Sequence, residues 1–253
     1  MSTNKIALVT GGSRGLGKNM ARNLAAKGHD VIITYNANKE LADEVVAEIE
    51  NEGKNAAALR LDVSDFKSLP VFLQTVSEVL KSKWQKDKFD FLINNAGIGA
   101  TIPFEKVTEN DFDKFVNVHF KSVYFLTQQA LPVINDNGRI INISTGTTRF
   151  CVPGYSVYAS MKGAIEIFTK YLAKDVGARG ITANVVAPGP IETDFNNAAI
   201  RNNPDRKAVM ASLTALKRIG QAEDIGGIIA FLCSEDAGWI TGQRIEASGG
   251  INL

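Results

Sequence analysis

Two cysteines, Cys151 and Cys233, are too few for a disulfide framework. With no Cys-x-x-Cys and only two histidines, there is no pattern for a structural zinc. No unbroken apolar stretch reaches the roughly 18 residues that a membrane helix needs. One-sided charge is missing as well: 28 Lys plus Arg stand against 27 Asp plus Glu, a net charge of +1. That balance argues against a nucleic-acid protein built on a broad basic face, and against an acidic tail. The Lys81 to Lys88 run is basic, but it contains Asp87 and precedes an apolar run, so it reads as a solvated helix end. Met1 to Lys5 leads straight into Ile6-Ala7-Leu8-Val9, too short for a signal peptide. The expectation is a soluble cytoplasmic protein with neither a membrane nor a nucleic acid as partner.

What is present is ordinary globular composition: 253 residues, 45% hydrophobic and 22% charged. Short β-type runs, several of them nearly continuous in Val, Ile and Leu, occur at 5–10, 31–35, 56–61, 89–93, 139–144, 181–186 and 244–247. Such runs mark strands buried on both faces. Amphipathic segments lie between them, as in Gly17–Lys27 and Lys39–Glu52. Strand-helix alternation of this kind predicts an α/β, doubly wound Rossmann fold: about seven parallel strands with helices on both faces. No linker or repeat divides the chain, so residues 1–253 read as one domain. The polar stretch at about 190–218, with Asn196, Asn197, Asn202, Asn203 and Pro204, reads as a substrate lid.

The first strand ends in Thr10-Gly11-Gly12-Ser13-Arg14-Gly15-Leu16-Gly17, directly before a helix. Glycines there permit a sharp turn and let a pyrophosphate approach the backbone at the helix N-terminus. The second strand ends in Tyr35-Asn36, with no carboxylate until Glu40. A carboxylate at that place would hold ribose hydroxyls and repel a 2′-phosphate. Its absence, with Arg14 in the turn to pair with phosphate, favours NADP(H) over NAD(H).

Tyr158 and Lys162 stand four apart, on one face of a helix. An ammonium about 4 Å from a phenol is worth roughly 4 kcal/mol at an effective dielectric near 20, enough to lower the phenol by about three pKa units. Tyr158 could then give a proton to a carbonyl oxygen, or take one from an alcohol. Tyr35 and Lys39 repeat the spacing, but at a strand end, where it reads as incidental.

Four motifs occur in order: the 10–17 turn, Asn94-Asn95-Ala96-Gly97, Tyr158 with Lys162, and Pro188-Gly189 followed by Thr193. In these the chain resembles the short, single-domain branch of the short-chain dehydrogenases/reductases, over essentially its whole length. The resemblance implies hydride transfer between NADP(H) and a carbonyl or secondary alcohol of a small molecule. It implies Tyr158 as general acid/base, Lys162 as the residue that lowers its pKa and holds the nicotinamide ribose, and Asn117 for a proton-relay water. Cofactor contacts are implied for Gly11, Ser13, Arg14, Gly15, Leu16, Gly17, Tyr35 and Asn36. They are also implied for Asp62, Val63, Asn94, Ala96, Gly97, Pro188, Gly189, Ile191 and Thr193. The family's usual serine thirteen residues before the tyrosine is here Thr145, beside Ser144. Threonine keeps the hydroxyl and adds a methyl. The role is assigned to Thr145, with Ser144 as the alternative.

The resemblance further implies a homotetramer or homodimer, with helices 110–133 and 155–176 pairing across a dimer face. The closing residues 247–253 and the loop 185–193 look like those of 3-oxoacyl-carrier-protein reductases, so that activity is the alternative substrate reading. Docking an acidic carrier needs basic surface, for which Arg179 is the candidate. A non-catalytic NADP(H) sensor is the alternative from another class, and the intact Tyr158, Lys162 and Asn117 argue against it. A sugar-nucleotide epimerase or dehydratase would need a longer chain and other glycine spacing. His119 reads as a satisfied packing residue, His29 as a helix end, and both cysteines as structural thiols. No metal is expected.

Overall fold

The computed structural model describes residues 4–253, apart from the side chain of Asn197. Met1–Thr3, which enter the signal-peptide argument, and the Asn197 side chain, part of the expected lid, lie outside the described residues.

Along the chain come β1 (Ile6–Val9), α1 (Gly15–Ala26), β2 (Asp30–Tyr35), α2 (Lys39–Asn51), β3 (Ala56–Arg60), α3 (Leu69–Trp84) and β4 (Phe89–Asn94). Then follow α4 (Glu109–Val116), a π-helical turn (Asn117–Lys121), α5 (Ser122–Ala130), β5 (Ile134–Ile143), α6 (Ser156–Val176) and β6 (Thr182–Pro188). The last elements are α7 (Phe195–Ala198), α8 (Pro204–Leu213), α9 (Glu223–Leu232) and β7 (Arg244–Ala247). The seven strands form one parallel sheet in the order β3-β2-β1-β4-β5-β6-β7. This is the Rossmann-type α/β fold that the alternation predicted.

The apolar runs follow from the pleat. Ala7, Val9, Val31, Ile33, Phe91 and Ile93 face α1, α2 and α9, while Ile6, Leu8, Ile32 and Leu92 face α3, α5 and α6. Successive side chains alternate faces, and both faces are covered, so no position can be polar without a partner.

Local signals set the helix boundaries. Asn38 caps α2 by accepting from the Leu41 amide at 3.0 Å, and Thr108 with Asp111 closes a capping box on α4. The helix expected over 110–133 is not continuous. The π-helical turn interrupts it, and Pro132 ends it in a short 3₁₀ turn at Leu131–Val133. Apolar periodicity cannot show a one-residue widening, which is why the interruption escapes a sequence reading. The strand expected from Arg139 begins at Ile134, with a register irregularity between the Phe89 and Phe91 pairings. No described helix is long and apolar enough to cross a membrane.

Candidate active site

The sheet order reverses direction between β1 and β4, and an open crevice forms outside the strand ends at such a switch. A cleft of about 820 Å³ occupies that place.

One end is built from the turn after β1. Gly11 has φ +65°, and a Cβ on Gly17 would fall on the Gly11 carbonyl oxygen. Only glycine lets the turn fold this closely onto α1. Thr10 holds it from behind: its hydroxyl accepts from the Asn95 amide at 2.9 Å and the Ala96 amide at 3.0 Å. The Asn95 side chain donates back to the Thr10 and Gly11 carbonyls at 2.9 and 3.1 Å. The N-cap of α1 is Arg14; no side chain caps the helix, and its first turn holds no acid. The amides and the positive dipole end are thus left to an outside anion, which fits a dinucleotide pyrophosphate. Arg14 is exposed and lines the cleft.

Gly11, Ser13, Arg14, Gly15, Leu16, Gly17, Tyr35, Asn36, Asp62, Val63, Ala96 and Gly97 all line this cleft. So do Thr145, Tyr158, Lys162, Pro188, Gly189, Ile191 and Thr193. Two expected residues do not. Asn94 is buried behind the wall, its amide donating to Thr127 at 3.0 Å and Asn142 at 2.8 Å. Asn117 opens the π-helical turn, and Val118 and His119 line the cleft instead. Of the Tyr35/Lys39 pair, Tyr35 lines the cleft and Lys39 is paired with Asp43 at 2.6 Å.

At the other end α6 brings Tyr158 and Lys162 beneath the end of β5. Lys162 is buried, and its ammonium donates to the Ile143 carbonyl at 2.6 Å. It lies 5.8 Å from the Tyr158 ring centroid. His119 meets Tyr158 edge-on at 5.1 Å between centroids, with Phe195 at 6.0 Å and Tyr155 at 6.2 Å. Tyr158 lines the cleft half-buried among these rings; desolvation raises its phenol above the ordinary value, and a hydrogen bond with the Thr145 hydroxyl works the other way. Burial lowers Lys162 to about 8. The expected lowering of Tyr158 by Lys162 is therefore corrected. Desolvation is the largest influence on the phenol, and the Lys162 ammonium is not among the groups that shift it here.

The two hydroxyl candidates separate. Ser144 donates to Glu166 at 2.6 Å and faces into the protein. Thr145 turns toward the phenol and contacts Thr147 at 3.2 Å.

The expected lid contains α7 and α8. Tyr155 ties it down: its phenol oxygen accepts from Asn196 and from Arg206, each at 3.1 Å, and lies 3.3 Å from the Thr101 hydroxyl. Asn95 belongs to the 94–97 motif, whereas Tyr155 and Glu166 carried no periodic or motif signal of their own. His119 did stand out in sequence as a lone histidine in an apolar helix, but read as packing. Here it lines the cleft, buried, with Nε2 on the Ile98 carbonyl at 2.8 Å and Nδ1 without a partner among the described residues. Burial holds it well below the usual histidine range, so it is neutral.

Among the described residues no group of His, Cys, Asp and Glu could hold a metal.

Residues 11–252 match the family model described as enoyl-(acyl carrier protein) reductase. A short-chain dehydrogenase/reductase of Pestalotiopsis microspora is 37% identical, over 97% of this chain and 94% of its own. Among solved structures, the reductase LugOII, which catalyses keto-reduction at C1 during lugdunomycin biosynthesis, is 38% identical with a TM-score of 0.94, covering 99% of both chains. The angucycline C-6 ketoreductase LanV, crystallised with NADP, is 36% identical with a TM-score of 0.94, covering 98% of this chain and 96% of its own. A second LanV structure, at a TM-score of 0.90, holds NADP and rabelomycin. In sequence and in fold, this chain belongs to the short-chain dehydrogenase/reductase family of oxidoreductases.

Proposed function

We propose that the chain is an NADP(H)-dependent ketoreductase, with Tyr158 as general acid and Thr145 as the hydroxyl that holds the substrate oxygen. The observation that carries this reading is the placing of Tyr158, Thr145 and Lys162 in one cleft with an uncapped helix N-terminus and Arg14. Bound there, the dinucleotide supplies or accepts the hydride.

The residues' own work follows from their surroundings. The Tyr158 phenol is protonated at neutral pH, as an ordinary phenol is, so it can donate to a carbonyl oxygen that is gaining charge. Thr145 orients that oxygen, and the Lys162 ammonium, fixed on Ile143, holds positive charge beneath the site as the phenolate forms. In the oxidative direction the same phenol must first lose its proton and then take one from the alcohol. Asn117, at the π-helical turn, is assigned the relay water from the family resemblance. Asn94 is assigned to support of the cleft wall through Thr127 and Asn142.

Arg14 and the absence of an acid at Tyr35-Asn36 support NADP(H), as do the NADP-bound neighbours. The substrate reading is a ketone on a fused aromatic skeleton. LanV was crystallised with rabelomycin, and the substrate end here is lined by Phe150, Val152, Tyr155, Phe195 and Met210. The carrier-protein alternative loses its cation, because Arg179 is held by Asp136 at 2.7 Å and by the Leu131 carbonyl at 2.8 Å. Residues 1–253 act as one cytoplasmic domain, with the segment at about 190–218 as lid. Exposed Tyr124, Ile167 and Tyr171 on α5 and α6 support assembly through those helices, as a homodimer or homotetramer.

The test is consumption of NADPH, with NADH in parallel, against fused-ring aromatic ketones, simple ketones and 3-oxoacyl thioesters. Turnover led by the fused-ring ketones with NADPH supports the reading. Turnover confined to the thioesters replaces the substrate, and NADPH binding without turnover on any compound replaces the enzyme with a sensor.

A further inference from the structure

We infer that Glu166 is a positioning residue for the reaction, acting through the 144–148 turn to hold Thr145 against Tyr158. The inference rests on the proposed roles of Tyr158 and Thr145.

Tyr158, Lys162 and Glu166 follow one another at four-residue intervals on α6, so they share a face of that helix. One carboxylate oxygen of Glu166, Oε1, gathers three contacts. Ser144 Oγ donates to it at 2.6 Å, and Arg244 Nε at 2.8 Å. Thr148 Oγ1 lies 2.7 Å away. The Thr148 hydroxyl has a single proton and also lies 2.9 Å from the Thr145 carbonyl; the charged oxygen is the stronger acceptor. The Thr145 carbonyl is then served by Arg244 Nη2 at 3.2 Å. Thr145 is extended (φ −158°, ψ 153°), a broad backbone basin that does not by itself fix where the hydroxyl points. Its setting comes from both sides: Ser144 before it and Thr148 after it are bound to Glu166, and its own carbonyl to Glu166's partner.

The ion pair is placed for geometry rather than for stability. Glu166 and Arg244 side chains are 16% and 22% exposed, and a pair so enclosed gains little net stability over apolar packing. Its contacts fall on Ser144 and Thr148, the residues that flank Thr145 in the 144–148 segment. The network continues outward. Arg244 also donates to Glu246 at 2.9 Å, and Glu246 accepts from Arg149 Nε at 2.8 Å. Arg149 in turn reaches the carbonyls of Ile251 and Asn252, and Ile251 lines the cleft. The hydroxyl that faces Tyr158 is thereby tied to the closing residues of the chain.

A double-mutant cycle with full-length protein tests the inference, using the ketone and NADPH. Glu166→Ala should lower kcat by about tenfold to a hundredfold, the scale expected for misplacing a reacting group by about 1 Å. Its NADPH Kd should stay within about twofold, because the 10–17 turn is untouched. Glu166→Gln keeps an acceptor at Oε1 and should recover most of kcat. In a Thr145→Ala background, Glu166→Ala should cost little further, since its effect passes through Thr145. Independent, multiplying losses in the double variant would overturn the inference, as would wild-type kcat in Glu166→Ala. Arg244→Met, run beside it with thermal melts, covers the case in which Glu166→Ala does not fold; it should show the same kcat loss and the same dependence on Thr145. A Tyr158→Phe control separates the two levels. Retained turnover there overturns the proposed function itself, whereas collapse there with an unaffected Glu166→Ala overturns only this inference.

Discussion

Lys162 donates its ammonium to the carbonyl of Ile143, the last residue of β5, at 2.6 Å. The bond fixes a buried charge beneath the phenol of Tyr158 without pairing it to a carboxylate. Burial drops Lys162 from its ordinary 10.5 to about 8. A lysine lowered in the folded state costs stability while it is charged, and that cost is lifted as pH rises from about 8 toward 10.5. Lys162→Met should therefore leave Tm at neutral pH unchanged or higher, while kcat falls at least about a hundredfold. Wild-type ketone reduction should decline as pH rises through about 8, where the ammonium is lost. Thermal melts of the variant and a pH–rate profile of the wild type check both, and a variant that melts well below wild type contradicts this account of the charge.

Arg14 is an exposed arginine at the N-cap of α1. If it holds the 2′-phosphate, Arg14→Ala removes one charge-assisted contact, worth about 1.5–3 kcal/mol, or roughly ten- to a hundredfold in KM for NADPH. KM for NADH should hardly change. Steady-state kinetics with both dinucleotides check it; equal losses for the two would mean that Arg14 serves the pyrophosphate or the fold.

Ser144 and Thr145 are adjacent, yet one hydroxyl faces Glu166 and the other the phenol. Thr145→Ala should lower kcat by about 10²-fold, and Thr145→Ser should restore it. Ser144→Ala should lower kcat less than Thr145→Ala, while removing a buried hydrogen bond worth about 1 kcal/mol. Kinetics and melts on the three variants decide it, and a reversed order would hand the substrate oxygen to Ser144.

Arg149, above all, holds the Glu246 carboxyl down from its ordinary 4.5 to about 2. A carboxylate lowered in this way contributes stability that is present above its ordinary value and is lost as pH falls toward about 2. Glu246→Gln should melt a few degrees below wild type at pH 7, and the gap should close in acid. A gap that persists undiminished near pH 2 contradicts that origin.

Much of the fold was legible because both faces of the sheet are covered. Runs such as Ile6–Val9 and Phe91–Ile93 have no solvent face and so no polar alternation. The phosphate turn was legible because it requires glycine: at Gly17 any side chain would meet the Gly11 carbonyl. Other features depend on tertiary packing. The π-helical turn at Asn117–Lys121 follows no apolar period, and it carries His119 into the cleft wall. Glu166 reads in sequence as a polar residue on a helix, and only the fold brings Arg244, 78 residues later, onto it. The spacing of Tyr158 and Lys162 supplies a charge but not the desolvation that raises the phenol. Asn94 looked like cofactor lining because it precedes the residues that do line the cleft; its amide is spent on Thr127 and Asn142.

A pre-steady-state experiment on Tyr158→Phe decides whether Tyr158 gives the proton. NADPH is bound first, followed by its fluorescence, and a fused-ring aromatic ketone is then mixed in. With Tyr158 as the acid, the variant binds NADPH within about twofold of wild type and transfers hydride about 10²- to 10⁴-fold more slowly. A Tyr158→Phe protein that binds NADPH and reduces the ketone at the wild-type rate would contradict it.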